Sequence, residues 1–257
     1  MRTSDVMMHE THRTMGTVVS LEVRGDVPPG LIAQAFAVFD EADARFSTFR
    51  PDSELMRVAR GELPRERLSD ELMEVLRLGD AFEGASGGAF SLRRDGTLDA
   101  SGVVKGWAAQ RAAELLSEGG AADFCLNAGG DVVARGVPGP ARRWHAGIRD
   151  PRSAERLLGV VVLGDGAMAT SGSYERGEHI TDARTGAPAR YWSSVTVLDR
   201  DLTVADALAT TVFAMGDDGP SWAHDEFGSS VIALDAAGRL AVAGRVEWAR
   251  MEHPLPA

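Results

Sequence analysis

Short segments that alternate between apolar and polar residues recur along this chain, and glycine, proline or aspartate bounds most of them. Such alternation over four to eight residues is typical of β-strands with one buried face. Strands are predicted at residues 15–23, 90–99, 123–133, 144–148, 157–163 and 194–198, and a closing hairpin at 228–234 and 240–242. Gly129 and Gly130 interrupt one of these strands, which indicates a bulge or the close approach of a ligand or another backbone.

Helical patterns are fewer and stand apart from one another. They cover residues 31–45, 70–84, 107–117 and 203–215. Ser69 is a suitable N-cap for the second of them, and glycines end the second, third and fourth. Separate helices among short, antiparallel-looking strands favour the α+β class, with mixed, mostly antiparallel sheets and flanking helices, over a doubly wound parallel sheet.

The charge balance excludes several classes of partner. A net charge of −11 argues against broad binding to nucleic acid or to anionic membranes, although it is compatible with the binding of one phosphorylated ligand.

Cys125 is the only cysteine, so the chain forms no disulfide within itself. Neither the apolar core of a signal peptide nor a run of ~18 apolar residues occurs, so we expect a cytoplasmic protein without a membrane span.

Lys105 is the only lysine, in a chain that uses arginine at every other basic position. An ammonium is a compact charge that can sit beside a phosphate where a planar guanidinium would not fit. Gly102 and Gly106 flank it and would let the backbone approach a ligand, and Asp99 precedes it. The alternative is an ordinary strand-to-helix turn with a surface salt bridge. The spaced glycines of a Walker A loop are absent.

Asp206 and Thr210 lie four residues apart in a predicted helix and therefore share a face. A carboxylate and a hydroxyl can contribute to the oxygen shell of a hard cation, which phosphate oxygens and water would complete. The alternative is that Asp206 belongs to a helix-start capping box with Thr203.

His179 opens a polar turn at residues 179–186, shortly after the hydroxyl-rich stretch 171–174. A lone histidine is more often structural or on the surface than catalytic. The neighbouring glycine and polar residues make burial in a core the less expected outcome, so His179 stays a candidate for proton transfer.

Several short segments, taken together and in this order, resemble the ApbE family of FAD:protein FMN transferases. The segments are 15–17 (MGT), 46–53 (FSTFRPDS), 87–90 (GGAF), 98–99 (LD) through 105–106 (KG), 127–131 (NAGGD), 171–174 (SGSY), 179–186 (HITDARTG) and 205–210 (ADALAT). The resemblance implies a single ApbE-like domain over residues 1–257, with 1–13 as a flexible N-terminal tail.

The resemblance also implies a reaction. Members use Mg²⁺ or another divalent cation, transfer the FMN half of FAD to a threonine or serine of a target flavoprotein, and release AMP. Two alternatives remain open on the sequence: a Mg²⁺-dependent FAD pyrophosphatase, in which water replaces the acceptor hydroxyl, and a protein that binds FAD without catalysis.

By motif position, the resemblance assigns roles to thirteen residues. Proton transfer falls to His179, and Asp206 is placed in the catalytic set as well as in the metal site. The implied metal contacts are Gly102 and Ala209 through their backbone and Asp206 and Thr210 through their side chains. The implied FAD contacts are Met15, Phe49, Gly88, Ala89, Phe90, Asp99, Lys105 and Ile180.

Overall fold

The computed structural model describes residues 7–94, 97–153, 155–173 and 180–249. Within these ranges the α-helices are α1 (Leu31–Phe46), α2 (Glu54–Ala59), α3 (Asp70–Ala85), α4 (Ser101–Glu118), α5 (Leu202–Met215) and α6 (Gly219–Phe227). The strands are β1 (Met7–Thr14), β2 (Thr17–Arg24), β3 (Arg93–Arg94), β4 (Thr97–Leu98), β5 (Asp123–Ala128), β6 (Asp131–Arg135), β7 (His145–Arg149), β8 (Leu157–Val162), β9 (Gly166–Gly172), β10 (Thr181–Asp182), β11 (Ala187–Pro188), β12 (Trp192–Asp199), β13 (Ser230–Asp235) and β14 (Leu240–Ala243).

One eight-stranded sheet organises the described residues, in the order β1-β2-β5-β6-β9-β12-β13-β14. Every neighbouring pair in it is antiparallel. The ladders β3-β4, β7-β8 and β10-β11 form separate two-stranded sheets. The predicted α+β class, with mostly antiparallel sheets and flanking helices, is confirmed.

Both faces of the central strands are covered. Val133 belongs to the main core, which the helices complete, whereas its neighbour Val132 packs with Ile148 and Val161 of the β7-β8 ladder. Because successive side chains in a strand point to opposite faces, helices cover one face and this ladder covers the other. Burial on both faces explains why β6 and β9 are nearly continuous in small and apolar residues.

Helices α4 and α5 pack closely, and Gly106 makes this possible. A Cβ atom at Gly106 would lie 2.5 Å from the carbonyl oxygen of Leu202 and 2.6 Å from the Cβ of Asp206. Its backbone N–H donates a 2.8 Å hydrogen bond to Oδ2 of Asp206. Gly106 therefore lets two helices approach each other, and the prediction that it admits a ligand is wrong.

Gly106→Ala is expected to destabilise the fold. Although alanine favours helix by about 1 kcal/mol over glycine, overpacking against α5 costs about 1–3 kcal/mol. Gly84→Ala in α3 is the matched control, since no atom lies within 4 Å of its added Cβ. Urea unfolding should therefore show that G84A is at least as stable as the wild type and that G106A is less stable. Equal stabilities of G84A and G106A would contradict the role of Gly106 in the helix contact.

The expected N-terminal tail is wrong for residues 7–13. They form β1, which pairs with β2 along its whole length across a turn at Met15 and Gly16. His12 stacks on Phe36 with ring centroids 5.3 Å apart and hydrogen-bonds both carboxylate oxygens of Asp40 at 2.9 Å. An edge strand is held mainly by backbone pairing, so it need not show apolar alternation.

Two further boundaries differ from the prediction. Helix α4 begins at Ser101 and not at residue 107, so Lys105 lies in a helix and not in a turn. Asp99 Oδ1 accepts the N–H of Ser101 at 2.9 Å, which favours this early start. The predicted broken strand is a hairpin, in which Gly129 and Gly130 (φ 65° and 109°) join β5 to β6.

No helix among the described residues is long and apolar enough to cross a membrane.

Candidate functional site

A cavity of about 1290 Å³ opens where the β1-β2 turn, the β5-β6 turn and the end of β9 meet helices α4 and α5. The loop after α1 and residues 89–93 and 180–188 contribute the remaining walls. Pockets for single small molecules usually measure about 300–1,000 Å³. The cavity is therefore larger than the usual pocket for a single small molecule.

Most of the predicted site residues meet in this cavity. The predicted residues that line it are Met15, Phe49, Ala89, Phe90, Asp99, Gly102, Lys105, Ile180, Asp206 and Thr210. Gly88 and Ala209 are not among the lining residues, and Ala209 has no exposed surface. His179 lies outside the described residues. The structure thus brings together residues that are far apart in sequence, from 15 to 210.

Asp206 occupies the interior of α5 and faces the cavity while only 5% exposed. The N-cap of α5 is Asp201, whose Oδ1 accepts the N–H groups of Thr203 and Val204 at 2.6 and 3.2 Å. The capping alternative for Asp206 is therefore wrong, because the residue lies about one turn inside the helix. Oδ2 of Asp206 accepts the backbone N–H of Gly106, so the carboxylate also links α5 to α4.

Thr210 follows Asp206 by one helical turn and lines the same cavity. Its Oγ1 lies 3.3 Å from Oγ of Ser171, the penultimate residue of β9, so two hydroxyls stand beside the carboxylate. Among the described residues, no group of three or more His, Cys, Asp or Glu side chains could enclose a metal. Mg²⁺ commonly binds one or two carboxylates together with substrate phosphates and water, so this donor set fits a substrate-bridged Mg²⁺ and not an all-protein cage.

Lys105 reaches into the cavity from the second turn of α4. Its Nζ lies 2.6 Å from Oδ2 of Asp131, whose Oδ1 accepts the N–H of Thr170 at 3.1 Å. Asp131 is 1% exposed, so the alternative of an ordinary surface salt bridge is wrong. Sequence reasoning assigned no role to Asp131, although this residue ends the segment 127–131. Its signal was an aspartate placed directly after paired glycines, at the start of an apolar strand.

The aromatic residues of the site differ in exposure. Phe49 is 92% exposed and stands on the rim, where its ring can stack on a planar ligand. Phe90 is buried and packs edge-on against Phe82, with centroids 6.0 Å apart. A Cβ atom at Gly102 would lie 3.1 Å from the Phe90 ring, so the glycine keeps this part of the wall open.

Cys125 takes no part in the site. It lies in β5 and does not line the cavity, and burial together with the nearby Glu22 raises the pKa of its thiol to about 12. At neutral pH the thiol is protonated, so it is a poor nucleophile.

Comparison with known proteins gives a consistent family. The model of the ApbE family matches residues 15–93 and 91–233. A Vibrio cholerae protein named FAD:protein FMN transferase is 33% identical over 131 residues, which cover 47% of this chain and 39% of that protein. A Rhodobacter capsulatus protein of the same name is 38% identical over 130 residues, which cover 47% of this chain and 24% of that protein. The chain thus spans less than half the length of these relatives.

Solved structures share the fold. The flavin transferase ApbE from Vibrio cholerae superposes with a TM-score of 0.81 at 22% identity, covering 94% of this chain and 97% of that one. The Pseudomonas stutzeri flavinyl transferase ApbE, in its apo form, superposes with a TM-score of 0.81 at 21% identity, covering 94% of this chain and 96% of that one. Together with the family match over most of the sequence, this likeness leads to one conclusion: the chain belongs to the ApbE family.

Proposed function

We propose that the chain is a Mg²⁺-dependent FAD:protein FMN transferase, which attaches FMN through a phosphoester to a threonine or serine of a target flavoprotein. One observation carries this proposal: a single large cavity combines the lone lysine, Lys105, with the oxygen donors of Asp206 and Thr210. Lys105 can contact a diphosphate, and the oxygen donors of Asp206 and Thr210 can help hold a divalent cation that neutralises its charge. The names of the relatives support the same activity.

The reaction breaks the phosphoanhydride bond between the two phosphates of FAD and forms a phosphoester bond to the acceptor. The acceptor hydroxyl oxygen forms a bond to the phosphorus of the FMN half, and the bond from that phosphorus to the bridging oxygen breaks. AMP leaves with the bridging oxygen, and the hydroxyl proton passes to a base. Negative charge builds on the leaving phosphate, so positive groups positioned there lower the barrier.

The residues of the cavity divide this work. Asp206 and Thr210 would hold Mg²⁺, which when bound neutralises phosphate charge. Lys105 would contact the diphosphate from the α4 side, and Asp99 lies near it at the start of that helix. Phe49 would stack on the flavin ring from the rim. The remaining proposed flavin neighbours are Met15, Ala89, Phe90 and Ile180.

Incubation with FAD and Mg²⁺, with and without a candidate acceptor flavoprotein, tests the proposal. Transfer predicts AMP release that depends on the acceptor, together with a mass increase of one FMN on it. AMP release without an acceptor would identify a pyrophosphatase, and FAD binding without AMP would identify a non-catalytic binder. We further propose that residues 1–257 form one domain, since β1 and β14 belong to one sheet.

His179 is our proposed general base, on the motif position alone. At neutral pH much of an ordinary histidine is uncharged and can accept the hydroxyl proton. His179→Ala is expected to leave FAD affinity nearly unchanged and to lower single-turnover FMN transfer by about 10²-fold or more. Normal transfer by the variant at saturating FAD would remove His179 from the chemistry. Loss of affinity in parallel with rate would instead indicate that it anchors its turn.

A further inference from the structure

Asp131 lies behind Lys105, on the side away from the cavity. It is the first residue of β6 and is almost completely buried, whereas the Lys105 side chain is 25% exposed and lines the cavity. One carboxylate oxygen accepts the backbone N–H of Thr170, and the other forms an ion pair with the ammonium. Asp131 thus joins β6, β9 and α4, and it holds the ammonium at the cavity wall.

The pair also determines the charge that a ligand meets. A buried carboxylate 2.6 Å from the ammonium cancels most of the field of Lys105 at a distance. Asp206 and Asp99 add two carboxylates to the cavity lining. Among the residues that the structure describes, one ammonium therefore stands against these three carboxylates, and this excess of negative charge opposes the entry of a doubly charged diphosphate.

Arginines on the rim do not reverse this balance. Arg93 and Arg149 line the cavity with exposed side chains, where water and salt screen their charge. Arg50 lies 3.6 Å from Asp43, which lines the same rim. Asp131 is shielded from solvent, so its effect on a phosphate beside Lys105 is screened much less.

We propose that Asp131 is a positioning residue that makes FAD binding depend on a divalent cation. It keeps Lys105 directed at the diphosphate but cancels its charge, so the lysine orients the anion without attracting it strongly. The missing positive charge is then supplied when the cation binds beside Asp206. The proposal rests on the proposed function, in which FAD is the substrate.

A purely structural role for Asp131 predicts a different result. If Asp131 only joins three elements, its replacement should weaken FAD binding equally with and without the cation. Asp131→Asn separates the two cases, because the amide oxygen can still accept the Thr170 N–H while the negative charge is lost. The useful quantity is the coupling factor, defined as the FAD dissociation constant in EDTA divided by that at saturating Mg²⁺.

Flavin fluorescence titrations, read by stopped flow before turnover, measure this factor. We expect a coupling factor of about ten or more for the wild type, which is within the usual range for coupled sites, and of less than about three for D131N. The lower factor of D131N should come mainly from tighter FAD binding in EDTA. Asp235→Asn is the matched control, since Asp235 is also buried and ion-paired, to Arg239, but lies outside the cavity; its coupling factor should equal that of the wild type.

Two more variants keep the test decisive if D131N folds poorly. Lys105→Met leaves the carboxylate uncompensated and should raise the coupling factor above that of the wild type. The double variant K105M/D131N removes both charges and should return the factor to the wild-type value. Equal factors in all variants, or weaker FAD binding by D131N in EDTA, would overturn the role of Asp131. A wild-type protein that binds FAD in neither condition would instead refute the proposed function.

Discussion

Asp206→Ala is expected to lower FMN transfer by about 10³-fold at millimolar Mg²⁺, because metal stabilisation of phosphate charge contributes several kcal/mol. The carboxylate would be the only charged ligand that α5 offers, and alanine leaves mainly neutral oxygens. The variant also loses the acceptor for the Gly106 N–H. An unsatisfied buried donor costs about 1–3 kcal/mol, so part of any effect could arise from the fold.

Asp206→Asn separates the metal role from the structural role. The amide oxygen can still accept the Gly106 N–H, so the contact between α4 and α5 is kept while the negative charge is removed. We expect near-normal stability in urea, together with a Mg²⁺ activation midpoint raised by at least about tenfold, since a charged ligand dominates Mg²⁺ binding. If D206N shows the wild-type midpoint and rate, Asp206 acts only through the helix contact.

Lys105→Met is the second change with a large expected effect. It leaves the buried Asp131 carboxylate without its cation, which costs about 3–5 kcal/mol in a fully buried pair. Because the Lys105 side chain is 25% exposed, water reaching the carboxylate should reduce the loss of stability to about 2–3 kcal/mol. FAD affinity should fall by about tenfold or more, because the uncompensated Asp131 carboxylate then repels the diphosphate, and like charges brought together at a binding site cost several kcal/mol.

Lys105→Arg tests the shape of the cation. Arginine keeps the charge, but its planar head is larger than the ammonium that approaches Asp131 to 2.6 Å. We therefore expect stability to recover more fully than FAD affinity. Urea unfolding and FAD titration of the three proteins provide the comparison. Equal FAD affinities of the three proteins would show that neither the charge nor the shape of the Lys105 side chain affects FAD binding.

The local pattern of the sequence was sufficient for much of the fold. The helices predicted at 31–45, 70–84 and 203–215 agree with α1, α3 and α5 within one residue at each end. Helix α3 has the predicted cap, in which Ser69 Oγ accepts the Leu72 N–H at 3.2 Å. Helix periodicity and capping involve residues three or four apart, so they are visible without tertiary structure.

The same locality explains why the common face of Asp206 and Thr210 was predictable. Asp206 and Thr210 are one turn apart, and their common face follows from helix geometry alone. Both line the cavity. The local sequence does not predict that Ser171 lies beside these two residues. Ser171 comes from β9, and its approach to Thr210 depends on how α5 packs on the sheet.

The sequence by itself determined the class of fold, the helices with regular patterns, the family and the residue types available for binding. Tertiary structure alone decided that residues 7–13 are a strand, that Gly106 lies at the contact between two helices, and that Lys105 meets a buried Asp131. The physical reason is distance along the chain. Only folding brings together the segments that pair at a sheet edge, that form a helix contact or that bury a charge. A short periodic pattern in the sequence therefore cannot predict these contacts.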